Sequence, residues 1–226
     1  MHLLLTIGLF IALLGVPILL LIQRIIGADS LGLSSRAAMW VIAAVVLAIA
    51  AASFSNWRSS IGLEVPKISA IVVSVAATFC VLISWPLVDA ILRKKGWGTA
   101  IEKDPFIKLV ALSLPYRAFL VLTAGVTEEI LYRGYAMGIG SQLFGSSTMA
   151  LIVSLFVFVT SHFRWGFSHL FSVLWAALIL SMLFVITNNL VACIFAHTLI
   201  DAVGLLLAPL GMAGKAKNAV TVRTGV

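Results

Sequence analysis

Seven apolar runs dominate the chain, at about residues 3–22, 37–54, 68–92, 115–140, 148–163, 169–187 and 190–208. A helix needs roughly 20 apolar residues to cross the hydrocarbon of a bilayer. Inside lipid only helices and closed barrels satisfy every backbone polar group. Of the 226 residues 62% are hydrophobic and 10% charged, too little polar surface to coat a soluble globule. The predicted fold class is all-α, a polytopic transmembrane helical bundle of about seven spans in contact with membrane lipids.

The first run resembles a signal peptide only superficially. No lysine or arginine precedes it, it is longer than an h-region, and no small-x-small cleavage site follows, so it is expected to be a retained span. Pro17 within it is a kink that neighbouring helices can tolerate. Three regions are expected: a three-span part over 1–105, a four-helix core over 106–208, and a basic, disordered tail over 209–226. Pro115 suits the first turn of the fourth long helix. Gly134 and Gly138 give that helix a GxxxG face for close packing.

The net charge of +7 does not point to nucleic acid, because the basic residues lie at the ends of apolar runs. Seven spans with the N-terminus outside put eleven of them on the inner side, from Arg24 to Arg223, and only Arg58 and Lys67 outside. That asymmetry predicts an N-out, C-in protein of a bacterial plasma membrane. Cys80 and Cys193 have no metal-ligand spacing and are expected to be buried free thiols.

Charge inside a span is costly and marks a functional site by default. The fourth long helix carries three such residues in six positions, Glu128, Glu129 and Arg133. Glu129 and Arg133 are i and i+4 with the acid first, the favourable order for an ion pair. Glu128 points about 100° away, which leaves it as an unpaired carboxylate. The other deep polar residues are His162, His197 and Asp201. The last two share one helix face, and Phe158, one turn before His162, can wall the same pocket. Lipid cannot hydrate these groups, so they should face the bundle interior and one another. A purely structural polar cluster is the alternative.

A carboxylate in a low-dielectric pocket is a stronger base toward water, and a histidine beside it can position that water or shuttle its proton. Donors on an opposing helix can stabilise the oxyanion formed when water adds to an amide. Neither G-x-S-x-G nor H-E-x-x-H occurs, so attack by water is the economical chemistry.

Three motifs occur in order on successive apolar helices. They are Glu128-Glu129-Ile-Leu-Tyr-Arg133, Phe158-Val-Thr-Ser-His162 and His197-Thr-Leu-Ile-Asp201. Over about residues 106–208 the chain resembles the CAAX prenyl endopeptidase and bacteriocin-processing family of intramembrane proteases. The resemblance implies an intramembrane endopeptidase acting on a membrane-associated or lipidated protein or a peptide precursor. It implies that Glu128 and His162 activate water, that His197 and Asp201 form the oxyanion site, and that Glu129 and Arg133 support them.

The family pattern has Asn or Asp at the last position, and an ionised Asp accepts but cannot donate. Asp201 must therefore be protonated, act through His197, or ligate a metal. A metal-free mechanism with no cofactor is the expectation, and zinc on two histidines with carboxylates is the alternative. A non-catalytic transporter or immunity scaffold is the competing function, although transporters typically carry paired repeats with broken helices. One conflict of depth stands. A fourth helix entering at Pro115 carries Glu128 about 20 Å inward, whereas His162 falls near the inner interface. A tilted fifth helix or a recessed start to the fourth would reconcile them.

Overall fold

The computed structural model describes residues 2–96, 108–165 and 167–207. These form helices α1 (His2–Ile25), α2 (Leu33–Ser53), the single turn α3 (Trp57–Ser60) and α4 (Ile68–Lys94). Helix α5 follows over 114–144, then α6 (Ser147–Ser161), α7 (Phe167–Thr187) and α8 (Leu190–Leu207). The fold is an all-α bundle of apolar helices. Five of them, α1, α2, α4, α7 and α8, are long and apolar enough to cross a membrane. The other two expected spans differ: α5 changes its winding part-way, and α6 is short. The basic tail and Trp97 lie outside the described residues.

Helix α5 is the axis of the molecule. It is α-helical over Leu114–Glu129, π-helical over Ile130–Ile139 and α-helical again over Gly140–Phe144. Pro115 lies in its first turn, as the spacing predicts. Every residue from Ile130 to Met137 is buried, which marks a helix enclosed on all sides. Helices α1, α2, α6 and α8 surround it, while α4 packs outside against α7 and α8. Large apolar side chains such as Phe10, Val72, Phe79 and Phe156 face outward. Cys193 is buried as expected, but Cys80 is exposed, because it lines an open groove between α4 and α7 with Val73 and Trp175.

Small residues set the close contacts. A Cβ on Gly8 would lie 2.0 Å from the Tyr135 hydroxyl, which donates to the Leu5 carbonyl at 3.2 Å. The Gly134 and Gly138 face receives a loop backbone rather than a second long helix. A Cβ on Gly138 would lie 2.5 Å from the Ser60 carbonyl oxygen, and one on Gly134 3.1 Å from Leu190. The loop is held there by the Leu190 N–H donating to the Gly62 carbonyl at 2.8 Å and by Asn189 Nδ2 donating to the Glu64 carbonyl at 3.0 Å. At the opposite end, Tyr116 donates to the Leu31 carbonyl at 2.6 Å and Arg117 to the Leu205 carbonyl at 2.9 Å.

The depth conflict disappears when both residues are measured from the turn joining α5 to α6. Glu128 lies 16 residues back from Phe144, at most about 24 Å because the π-helical stretch rises less per residue, and α6 has 15 residues, about 22 Å. Helix α6 simply stops at the level of Glu128. His162 forms its C-cap, with φ −91° and ψ 6°. The Gly62–Ile61 loop also sinks the start of α8, which brings His197 to the same level. Adding a methyl at Gly138 forces the Ser60 carbonyl away, so Gly138→Ala should lower stability by roughly 1–3 kcal/mol. Gly204→Ala, with nothing within 4 Å of the added Cβ, should leave it unchanged. Thermal unfolding of the two variants in detergent measures both.

Candidate active site

The two adjacent glutamates meet different surroundings. Glu129 has no exposed surface, and its Oε1 accepts from Arg133 Nη1 at 2.9 Å within the same helix. The same oxygen meets His197 Nδ1 of α8 at 2.7 Å. Arg133 is 1% exposed and also donates from Nη2 to the Ala177 carbonyl of α7 at 3.1 Å. Its guanidinium carbon lies 4.7 Å from the centre of the Phe158 ring on α6, a cation–π contact strengthened by exclusion of water. One pair thus ties four helices together.

Glu128 is half-buried and makes no hydrogen bond among the described residues. It lies in the electrostatic field of His197, Glu129, Arg36 and Arg133. Arg36 is an addition to the residues legible in the motifs. Its place at the end of an apolar run reads as a membrane-interface cation, yet it lies within electrostatic reach of Glu128. Its Nη2 is held by the Ser30 carbonyl at 2.6 Å.

His162 takes its orientation from the end of α6. The last carbonyls of a helix lack intrahelical partners, and that of Phe158 lies 2.8 Å from His162 Nδ1. A carbonyl only accepts, so Nδ1 carries the proton and the neutral ring leaves Nε2 bare as a base. Ser161 Oγ, 3.2 Å from Nδ1, donates to the same carbonyl at 2.7 Å. Phe158 forms the wall between these groups. Its ring centre is 4.7 Å from that of His162, 5.0 Å from that of Tyr132 and 6.5 Å from that of His197.

His197 is held between two acids. Nδ1 donates to Glu129, and Nε2 lies 3.6 Å from Asp201 Oδ2, one turn along α8. Asp201 keeps 30% of its side chain exposed. The approach of α8 to α5 depends on Gly125, where a Cβ would lie 2.3 Å from Thr198 Oγ1 and 3.3 Å from Thr198 Cα. His162, His197 and Asp201 act electrostatically on one another, and Glu128 acts on His197 and Asp201. Glu128 and His162 make no direct contact with each other.

Residues 110–203 match the Rce1-like family model, described as type II CAAX prenyl endopeptidase Rce1-like. Over these residues, fewer than half of the chain, the sequence is similar to that family. No curated protein and no solved structure matches the chain. The Rce1-like segment runs from just before α5 into the end of α8 and contains all three motifs. Among the described residues, no group of three His, Cys, Asp or Glu side chains is arranged to hold a metal ion.

Removing one partner of the sealed pair strands the other charge out of water. Arg133→Ala and Glu129→Gln should each lower stability by about 3–5 kcal/mol. Glu128→Gln, at a half-buried carboxylate with no partner, should change it little. Denaturation of the detergent-solubilised variants, followed by circular dichroism, checks the contrast.

Proposed function

We propose that this protein is an intramembrane endopeptidase that hydrolyses a peptide bond of a membrane-associated or lipidated protein or peptide precursor. The observation that carries the proposal is the contrast between Glu128 and Glu129. One carboxylate is consumed by Arg133 and His197, and its neighbour is left half-buried and unpartnered within the field of His197 and a second acid, Asp201. The similarity of residues 110–203 to an endopeptidase family supports the same reading.

In this mechanism a water molecule lies between Glu128 and the scissile carbonyl, with His162 facing it from α6. Glu128 accepts a proton as the water oxygen bonds to the carbonyl carbon, and the π electrons of the carbonyl move onto its oxygen. The C–N bond then breaks and the proton passes to the leaving nitrogen. The bare Nε2 of His162 orients the water and relays that proton. His197, in its doubly protonated form, donates toward the oxyanion from Nε2 while Nδ1 stays on Glu129. Asp201 acts through His197 by holding that face of the ring. No step needs a metal.

Glu128→Gln should abolish processing, a loss of at least about 10²-fold, while membrane insertion stays intact. Comparative proteomics of membrane fractions from cells carrying the parent or the variant reads this as accumulated precursors. Identical precursor levels would remove Glu128 from the chemistry. A chelator should leave the processing rate of the purified protein unchanged, with metal content well below one per chain. Rate loss restored by zinc would overturn the metal-free mechanism.

A further inference from the structure

Tyr132 lies one helical turn beyond Glu128, just as Arg133 lies one turn beyond Glu129. The residue is 1% exposed, and its ring packs edge-on against Phe158 with centres 5.0 Å apart. Its backbone carbonyl is held by Ser154 Oγ of α6 at 2.7 Å, which pins this part of the π-helical stretch against α6. The hydroxyl is a different matter. It is buried, has no partner at full hydrogen-bond geometry, with the Ser161 hydroxyl as a polar neighbour close enough for a weak interaction, and lies within the field of Glu128. Ser161 spends its own proton on the Phe158 carbonyl. A buried tyrosine O–H ordinarily finds a partner, and an orphaned one calls for an explanation.

The mechanism above gives the oxyanion one donor, His197 Nε2, and that nitrogen also faces Asp201. At the family's Asn-or-Asp position this chain has Asp201, which when ionised can only accept. His197 has one nitrogen on Glu129 and the other turned toward Asp201. We propose that the Tyr132 hydroxyl is a catalytic hydrogen-bond donor to the scissile carbonyl oxygen, taking its partner only as the tetrahedral intermediate forms. The proposal rests on the endopeptidase reading above. The hydroxyl keeps its proton throughout. Water's proton goes to Glu128, the carbonyl π pair moves to oxygen, and Tyr132 shares its hydrogen with that oxygen until the C–N bond breaks. Unlike Asp201, a tyrosine donates whatever the state of the neighbouring acids at neutral pH.

The test uses the full-length protein in liposomes and a precursor that accumulates in the Glu128→Gln cells. Tyr132→Phe removes one buried oxygen atom that has no full hydrogen bond in the resting protein and at most a weak one with Ser161, so its melting temperature should fall little. Its kcat should drop roughly 10²–10³-fold, as for loss of one oxyanion donor, with KM changed less than about two-fold. A phosphinate analogue of the cleaved bond, which mimics the tetrahedral intermediate, should lose affinity by a similar factor. Parental kcat in Tyr132→Phe, a raised KM at unchanged kcat, or a kcat loss matched by a lower melting temperature would each overturn the role of Tyr132. Absence of any accumulating precursor would instead overturn the endopeptidase reading itself.

Discussion

The arrangement depends on one carboxylate oxygen. Glu129 Oε1 serves an arginine of its own helix and a histidine of α8, and neither partner can be replaced by water. A carboxylate moved from water into a low-dielectric interior is strongly penalised unless paired and hydrogen-bonded. Here two donors offset that penalty, and the guanidinium is further occupied by a carbonyl of α7 and the face of Phe158. The histidine is thereby fixed in rotation and in the position of one proton. Gly125 permits the interaction by leaving room for the Thr198 hydroxyl and Cα where a side chain would stand.

Much of this was legible in the order of residues. Glu129 and Arg133 are i, i+4 in favourable order, and they pair at 2.9 Å. The apolar runs place the helices, and Pro115 marks the start of the central one. Three motifs on successive runs mark the family segment. The π-helical winding of Ile130–Ile139 was not legible, because apolar residues on every face erase the periodicity that distinguishes one winding from another. Such segments are frequent at functional sites. Tyr132 escaped notice for the same reason: in a stretch buried all round, an aromatic residue reads as packing.

Other features were hidden because they are tertiary. Nothing local to Arg36 says that it will lie within electrostatic reach of Glu128 rather than among headgroups. Gly134 and Gly138 advertise a close contact without naming the partner, which proved to be the Ser60–Ile61 backbone. The end of α6 falls two residues before the expected one, and those two matter. His162 belongs to the cap and not to the helix, so it can use an end carbonyl to fix its proton.

The shortness of α6 has a consequence for the lipid around it. Its outward face, with Met149, Ile152 and Phe156, meets acyl chains, yet about 22 Å of helix cannot match a hydrocarbon layer of about 30 Å. Hydrophobic mismatch of this size is relieved by thinning of the adjacent leaflet. Headgroups and the water they carry are drawn down toward the level of His162. For the proposed endopeptidase, a peptide bond just beneath the membrane surface would then have only a short way to travel, with no need to be dragged across the full bilayer.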